Sequence, residues 1–358
     1  MTTFPTGAPS SNLLSVEQAL ENQSVQCGEM GSLLYAGLLR GLLGDYRRDG
    51  LTARLFEGSD GRPVSDALAL RYLATAHRLA LAGRAPELAQ HYPSCGGEWD
   101  GSDITPQLLD VVRANFEDFE LGLQRQVQTN EVGRAPAIIS GLAHIAERFQ
   151  LPLRLLEIGS SAGLLSRLDS YYYDNGSTQF GNRDSELVFP DSWWSRAGQS
   201  LDVGLRIEER AASDLSPVDA STAEGRLTMA SFIWPDQGAR FDRLRAALNI
   251  AAITPLPIQQ SDAGAWLTSQ LSGGPKQGAV TVVFHAIVWQ YLPAATQTTV
   301  RNAIEQAGMH AWAEAPMAWL QLEPATNSTA ALRLTTWPGG TQTVLADVGY
   351  HGANIHWH

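Results

Sequence analysis

The chain contains few cysteines, and it has neither a long hydrophobic run nor an N-terminal targeting pattern. Its two cysteines, Cys27 and Cys95, are too few for a disulfide framework or a cysteine-ligated zinc site. The most apolar run, 279–289, is shorter than the roughly 18 residues of a membrane span. Residues 1–14 form a polar arm that lacks the apolar region of a signal peptide. We therefore expect a cytoplasmic protein with no metal and no membrane partner.

Positive charge is also scarce. Lys and Arg together number 25 against 37 for Asp and Glu, which gives a net charge of −12 at pH 7. A protein that holds an extended phosphate backbone needs a basic surface to neutralise it. The charge balance therefore predicts no nucleic-acid partner, and we expect a small-molecule substrate.

The apolar content is sufficient for two folded domains. Hydrophobic residues make up 44% of the chain and charged residues 17%, which is typical of ordered globular proteins. At roughly 150 residues per domain, 358 residues correspond to two domains. Apolar residues recur at helical spacing in the first third of the chain. We interpret residues 1–135 as a helical N-terminal cap domain and residues 136–358 as an α/β domain.

After Pro152, short apolar runs alternate with helical stretches. This pattern is typical of buried parallel strands joined by crossover helices. Near the C-terminus, two strand-like runs flank the turn 338–340, which predicts an antiparallel hairpin at the end of the sheet. The predicted parallel strands cover residues 153–159, 205–213, 257–263, 279–286 and 317–324.

The strongest local motif is LLEIGSSAGLL, residues 155–165. A buried strand carries Glu157, turns at Gly159 and is expected to open a helix near Gly163. The main-chain N–H groups of this turn, which includes Ser160 and Ser161, would then face a ligand. Serine at position 161 departs from the GxGxxG pattern and argues against NAD and FAD. The alternative is an ordinary tight turn between a strand and a helix.

Two acidic residues follow later strands. Asp214 suits ribose hydroxyls, and Asp262, followed by Ala263, suits an adenine amino group. Each aspartate also matches a helix N-cap or turn opening, and that alternative stays open. Asp214 follows Glu157 by 57 residues where the usual spacing is about 20, so an insertion at 170–203 is required. Glu209 is the alternative to Asp214.

The order of these motifs resembles that of class I S-adenosylmethionine (SAM) methyltransferases. The glycine turn comes first, then the two acidic strand ends, then the aromatic segment FHAIVWQYLP, residues 284–293. The resemblance covers about residues 135–358. It implies a Rossmann-like sheet that binds SAM and ends in the antiparallel hairpin.

A second resemblance extends over nearly the whole chain. Segments such as VQTNEVGRA (127–135), ASFIWPDQ (230–237) and LRLTTWPGG (332–340) resemble an uncharacterised bacterial family with a methyltransferase-like fold. The chain is also similar to bacterial azetidine-2-carboxylate synthases, which are methyltransferase relatives that consume SAM itself. This likeness implies a SAM cyclase that releases methylthioadenosine.

The amino-acid end of SAM needs an acceptor for its ammonium group and a donor for its carboxylate. Four residues before the first strand offer both kinds of side chain, with a solvated helix face as the alternative. Gln128 and Arg134 are the candidate ligand-binding residues of this group. Asn130 and Glu131 are the candidates that orient the amine.

Three further residues are candidates for the chemistry. His285 ends the fourth predicted strand, where it would accept the proton of the amine or form an ordinary buried hydrogen bond. Trp234 and Tyr291 lie beside turns or helix starts. Their rings would surround the positively charged sulfur through cation–π contacts.

Every carbon on the sulfur of SAM is activated, so positioning decides which one is attacked. We expect intramolecular cyclisation, in which the α-amine attacks the γ-carbon to give azetidine-2-carboxylate and methylthioadenosine. This reaction needs no second substrate. Methyl transfer to a small acceptor is the alternative, and a protein that binds SAM without catalysis is a third possibility.

Overall fold

The computed structural model describes residues 15–57, 67–326 and 328–358. The arm predicted for residues 1–14 lies outside them. Within this described part of the chain, no helix is both long and apolar enough to cross a membrane. The α-helices are α1 (Val16–Glu29), α2 (Leu33–Tyr46), α3 (Leu51–Leu55), α4 (Leu68–Leu81), α5 (Pro86–Ala89), α6 (Thr105–Ala114), α7 (Phe116–Gln124), α8 (Ala135–Phe149), α9 (Ala223–Ser231), α10 (Gly238–Ile253), α11 (Ala263–Gln270) and α12 (Ala294–Met309).

In the described part of the chain, the strands all follow Pro152, where the sequence predicts the start of the α/β region. They are β1 (Leu153–Ile158), β2 (Tyr172–Asp174), β3 (Gln179–Gly181), β4 (Val188–Phe189), β5 (Trp194–Arg196), β6 (Ile207–Asp214), β7 (Ile258–Gln260), β8 (Val280–Ala286), β9 (Met317–Pro324), β10 (Thr329–Trp337), β11 (Thr341–Gly349) and β12 (Ile355–Trp357).

The chain divides into a helical unit and a sheet unit. The boundary between them lies before Gln128 rather than after residue 135. The segment 128–134 belongs to the sheet unit because it is hydrogen-bonded to the turn that follows β1. A short later segment returns to the helical unit. The helical unit comprises Met1–Val127 and Ala230–Gly238, and the sheet unit comprises Gln128–Met229 and Ala239–His358.

The helical unit is built around one apolar core. Its first helix begins with a capping box, in which Ser15 and Gln18 accept hydrogen bonds from each other's main-chain N–H groups. The buried faces of the helices then pack together. Trp234 belongs to this core, where it is 5% exposed and its ring centroid lies 6.2 Å from that of Tyr35.

The sheet unit contains a nine-stranded sheet in the order β5-β12-β11-β10-β9-β8-β1-β6-β7. Strands β7, β6, β1, β8 and β9 are mutually parallel, and all five were predicted. The predicted hairpin is also present, since β10 and β11 pair antiparallel with Thr336 opposite Thr341. All seven residues of β8 are buried, as expected for a strand covered on both faces. The protein therefore has a mixed α/β fold with a large, mostly parallel central sheet.

The predicted insertion at 170–203 forms a small sheet of its own and one edge of the large one. Strands β3, β2 and β4 form a three-stranded sheet, and β5 pairs in parallel with β12. Two of its tyrosines are fully buried, and their hydroxyls donate to the main chain: Tyr171 to Leu164 and Tyr173 to Leu168. These tyrosines therefore support the segment after β1 by packing and hydrogen bonding.

The strand order changes direction beside β1. The chain moves outward from β1 through β6 to β7, and then crosses to the other side of β1 for β8 and β9. In open α/β sheets, ligands bind in the crevice that such a switch opens at the carboxyl ends of the strands. The fold therefore predicts a functional site at the carboxyl ends of β1 and β8.

Candidate functional site

The glycine turn, residues 159–163, leaves the carboxyl end of β1 in a tightly constrained conformation. Gly159, Ser161 and Gly163 all have positive φ angles, of +66°, +54° and +66°. A side chain at position 159 would begin 2.5 Å from a methyl carbon of Val288. Glycine is therefore required at position 159 for close packing of the turn after β1 against the turn after β8.

The turn does not open an α-helix near Gly163, and that prediction is wrong. A six-residue 3-10 helix, Leu165–Ser170, follows instead. Side chains occupy the carbonyl groups that an α-helix would use: Arg167 donates to Ala162 and Gly163, and Tyr171 donates to Leu164. These side-chain contacts replace the main-chain ladder of an α-helix.

The main-chain N–H groups of the glycine turn are largely satisfied within the protein, rather than directed at a ligand as the sequence predicts. That of Ser160 donates to the Ser213 carbonyl over 3.1 Å, and that of Ser161 donates to Asp214 Oδ2 over 2.8 Å. That of Gly163 donates to the Ser160 carbonyl over 2.7 Å. The turn is thus a rigid wall at the carboxyl edge of β1, and it lacks the row of free donors that binds a phosphate.

Gln128 and Asn130 hold this wall in place. The side-chain carbonyl of Gln128 accepts a hydrogen bond from the Ser161 hydroxyl, and its amide donates to Ser216 O over 3.1 Å. Asn130 Oδ1 accepts from Leu164 N over 2.7 Å. Both residues position the turn, and their predicted contacts with the amino-acid end of SAM stay predictions.

The two acidic strand ends are also engaged locally. Asp214 accepts main-chain N–H groups from Ser161 and Ser216, each over 2.8 Å. Glu209, the alternative to Asp214, is excluded as a residue of the carboxyl edge. It lies opposite Arg154 in the amino-terminal half of β6 and pairs with that arginine and Lys276.

Asp262 is the N-cap of α11, as one of its two interpretations predicts. Its Oδ1 accepts from Gly264 N over 2.9 Å and Ala265 N over 3.1 Å, and its Oδ2 accepts from the Thr296 hydroxyl over 3.0 Å. Ala263, the first residue of the helix, is buried. A contact between Asp262 and adenine stays a prediction.

Glu157 lies near the carboxyl end of β1 and is only 2% exposed. Burial raises the pKa of its carboxyl group to about 8, although the Ser166 hydroxyl and Arg167 oppose the rise. Glu157 is therefore mostly protonated and neutral at pH 7. It therefore does not supply a fixed negative charge at the carboxyl end of β1.

Glu131 and Arg240 form a buried ion pair beside the glycine turn. Their side chains are 2% and 7% exposed, and Arg240 Nε lies 2.7 Å from Glu131 Oε2. Burial would raise the pKa of Glu131, but Arg240, with smaller contributions from His351 and Arg134, lowers it to about 2. Glu131 Oε1 also accepts from Gly133 N over 3.0 Å. Glu131 is therefore a charged anchor whose two oxygens are both used.

Arg134 is buried without a carboxylate of its own. It is 4% exposed and donates to two carbonyl oxygens, from Nη1 to Ala286 over 3.1 Å and from Nε to Tyr350 over 3.4 Å. Burial lowers the pKa of Arg134, and Glu131 opposes the shift from a distance. Within the described residues, Arg134 makes no direct ion pair.

Arg243 and His351 lie next to the ion pair of Glu131 and Arg240. The Arg243 guanidinium lies 5.0 Å from the centre of the Trp193 ring, and its Nε is buried with no hydrogen-bond partner among the described residues. Burial lowers the pKa of His351 to about 3, and Arg240 adds to the effect. We call Glu131, Arg134, Arg240, Arg243 and His351 the charged cluster. Its three guanidinium groups face one carboxylate, so it carries excess positive charge.

His285 is fully buried, and both of its ring nitrogens have partners. Trp319 Nε1–H points at Nε2 over 3.1 Å, and Nδ1 lies 2.6 Å from Glu323 Oε1. Its ring also stacks on Trp289, with centroids 5.5 Å apart. His285 is therefore a hydrogen-bonded core histidine, as the alternative interpretation of the sequence predicts. It has no ring nitrogen left to accept a proton from a ligand.

Glu323 organises the turn after β8, residues 286–289. Its Oε1 also accepts from the main-chain N–H groups of Val288 over 3.0 Å and Trp289 over 3.2 Å. Ile287 lies between these contacts and β8 with a φ angle of +56°, which is unusual for a β-branched residue. Such strained backbone clusters at functional sites, where surrounding contacts hold it.

Tyr291 and Tyr350 lie close to this turn, and Tyr291 is 43% exposed. Burial raises the pKa of the Tyr350 hydroxyl, and a hydrogen bond from Gln290 opposes the rise. Arg134 also opposes it, whereas Glu323 adds to it. The tyrosine hydroxyl is therefore within electrostatic reach of both buried charges.

The structure thus brings together only part of the predicted set. Glu131, Arg134 and Tyr291 lie around the carboxyl ends of the strands. Trp234 lies in the core of the helical unit and is accounted for by packing there. Glu323 was not predicted, although it lies near the carboxyl end of a predicted strand. No local sequence pattern around Arg240 or Tyr350 indicates a role in a site.

Comparison with known proteins gives a family for nearly the whole chain. Residues 17–357 match the family DUF2332, described as "Uncharacterized protein conserved in bacteria". The chain belongs to this family. No curated protein and no solved structure matches it. The family description carries no reaction, so a function has to be argued from the site.

The shifted pKa of Glu157 makes stability depend on pH. The folded protein keeps this carboxyl protonated up to about pH 8, whereas the unfolded chain ionises it near 4.5. Wild-type stability should therefore fall as pH rises between these values, because the folded state binds the extra proton. Glu157→Gln removes this loss. The free energy of unfolding of the variant, measured in urea, should therefore increase relative to that of the wild type from pH 5 to pH 8. The exposed control Glu305→Gln should show no such trend, and a constant difference for Glu157→Gln would contradict the assignment.

Proposed function

We propose that the sheet unit binds SAM at the carboxyl ends of β6, β1 and β8 and is an enzyme that acts on it. The strand order supports this proposal, because its switch lies beside β1, where α/β sheets bind ligands. The glycine turn supports it as a rigid wall at that position. The sequence resemblance to SAM-dependent enzymes supplies the identity of the ligand.

The observation that carries the proposal is the buried guanidinium of Arg134. A buried cation without an ion pair is costly unless something compensates it. Arg134 lies beside the turn after β8, at the switch point, within a cluster that carries excess positive charge. The carboxylate of the methionine end of SAM would complete this site, since guanidinium binds carboxylates through paired hydrogen bonds.

The adenosine end of SAM would then extend over β6 and β7. In this arrangement Asp214 lies at the ribose and Asp262 at the adenine. Their capping hydrogen bonds do not use every lone pair, because each carboxylate oxygen can accept two bonds. The same aspartates can therefore support the turns and contact a ligand.

The reaction that we propose is cyclisation of SAM. The α-amine loses a proton and attacks the γ-carbon, the bond from that carbon to sulfur breaks, and methylthioadenosine leaves as a neutral thioether. Holding the amine against the γ-carbon is the main requirement, and Arg134 would fix one end of the chain for it. Tyr291, on the turn after β8, would face the positively charged sulfur. Methyl transfer to a small acceptor is the alternative.

Incubating the purified protein with SAM alone tests the reaction. We expect azetidine-2-carboxylate and methylthioadenosine in equal amounts, measured by mass spectrometry against a heat-treated control. The alternative, methyl transfer, would be favoured if the protein left SAM intact on its own but transferred a labelled methyl group from SAM when a cell extract was added. Binding without any product in either case would make the protein a SAM-binding protein and would contradict the proposed catalysis.

Replacing Arg134 with Gln tests the binding site. Loss of charge-assisted hydrogen bonds of about 1.5–3 kcal/mol should weaken SAM binding roughly 10- to 150-fold in calorimetry. Methylthioadenosine has no carboxylate, so its affinity should stay the same. The exposed control Arg245→Gln should change neither. An equal loss for both ligands would show that Arg134 only supports the fold, and no loss for SAM would remove it from the site.

A further inference from the structure

We propose that Glu323 holds the α-amino group of the substrate and accepts its proton, with Trp319 and His285 as positioning residues behind it. This inference rests on the proposed function. It gives Glu323 the role of proton acceptor that was predicted for His285. It starts from three buried side chains on β8 and β9.

The first step is the protonation state of His285. The indole nitrogen of Trp319 is only a donor, so His285 Nε2 must accept its hydrogen bond. Neutral His285 therefore carries its proton on Nδ1 and donates it to Glu323 Oε1. The Trp319 indole thus fixes the tautomer that supports the Glu323 carboxylate.

The second step is the unequal use of the two carboxylate oxygens of Glu323. Oε1 accepts three hydrogen bonds, from His285 Nδ1, Val288 N and Trp289 N. Oε2 is buried and has no hydrogen-bond partner among the described residues. A buried acceptor without a partner is costly, and such groups call for a functional explanation. Oε1 is therefore the structural half of this carboxylate, and Oε2 is the half that still has hydrogen-bonding capacity for a ligand.

The third step is the position of Glu323 relative to Arg134. Both side chains bind the same turn, Arg134 through Ala286 O and Glu323 through Val288 N. A carboxylate and a guanidinium at one turn match the two charged groups of an α-amino acid. Because Oε2 is enclosed, the amine reaches it only when neighbouring side chains shift. Tyr291, 43% exposed, is the accessible aromatic residue beside this turn.

The proton transfer balances without a further reagent. The substrate ammonium gives one proton to Glu323 Oε2 and becomes a neutral amine. The amine lone pair forms the bond to the γ-carbon, and the electrons of the broken carbon–sulfur bond go to sulfur. Glu323 then releases its proton to water. The titratable groups that face Glu323 are His285, Tyr291 and Tyr350, and Arg134 acts on the same two tyrosines.

The test compares wild type, Glu323→Gln and the exposed control Glu305→Gln in single-turnover conversion of SAM at pH 6 to 9. Gln keeps an oxygen for the main-chain N–H groups but cannot take a proton. We expect a fall of roughly 100- to 10,000-fold for Glu323→Gln and no change for the control. The residual rate of Glu323→Gln should rise about tenfold per pH unit up to about pH 8, because solvent must then remove the proton from an amine whose ordinary pKa is about 8. The wild-type rate should depend less steeply on pH, because the enzyme itself takes the proton.

Three outcomes separate the possibilities. If wild type neither binds nor converts SAM, the proposed function fails and this inference fails with it. If wild type converts SAM but Glu323→Gln keeps its rate and pH profile, only the role of Glu323 is overturned. If Glu323→Gln does not fold, the wild-type profile decides: a rate that varies little with pH supports the proposal, and a rate that rises about tenfold per pH unit up to about pH 8 contradicts it.

Discussion

The candidate site depends on the buried ion pair between Glu131 and Arg240. It fixes the segment 128–134 in front of the carboxyl edge of the sheet, because both oxygens of Glu131 are used, one by Arg240 and one by Gly133 N. From this anchored segment, Asn130 reaches the glycine turn and Arg134 reaches the turn after β8. Removing one partner of such a pair typically costs about 3–5 kcal/mol, since the other charge stays buried.

The two turns that the segment joins are rigid for different reasons. The turn after β1 is held by hydrogen bonds with neighbouring side chains. Gly159 has no side chain, so Val288 packs directly against the turn. The turn after β8 is held by two main-chain hydrogen bonds, from Val288 and Trp289, to one oxygen of Glu323. Rigid walls of this kind favour a ligand that is held in one conformation. A cyclisation requires that, because its reacting atoms belong to one flexible chain.

Much of the fold could be predicted because its signals are local. The apolar run of β8 and the turn at 338–340 are visible in a few consecutive residues. The helix expected after Gly163 was wrong because Arg167 and Tyr171 occupy the carbonyl groups that it needed. Likewise, the pairing of His285 with Glu323 joins residues 38 positions apart, and no local pattern indicates it. The sequence therefore predicts strands and turns better than it predicts which polar groups are already satisfied.

The central claim is that the carboxyl edge between β1 and β8 receives the amino-acid end of SAM. A crystal structure of the protein with SAM tests this most directly. The account predicts the ligand carboxylate within hydrogen-bond distance of the Arg134 guanidinium and the α-amino nitrogen within that distance of Glu323 Oε2. SAM bound with its amino-acid end away from both side chains would contradict the claim.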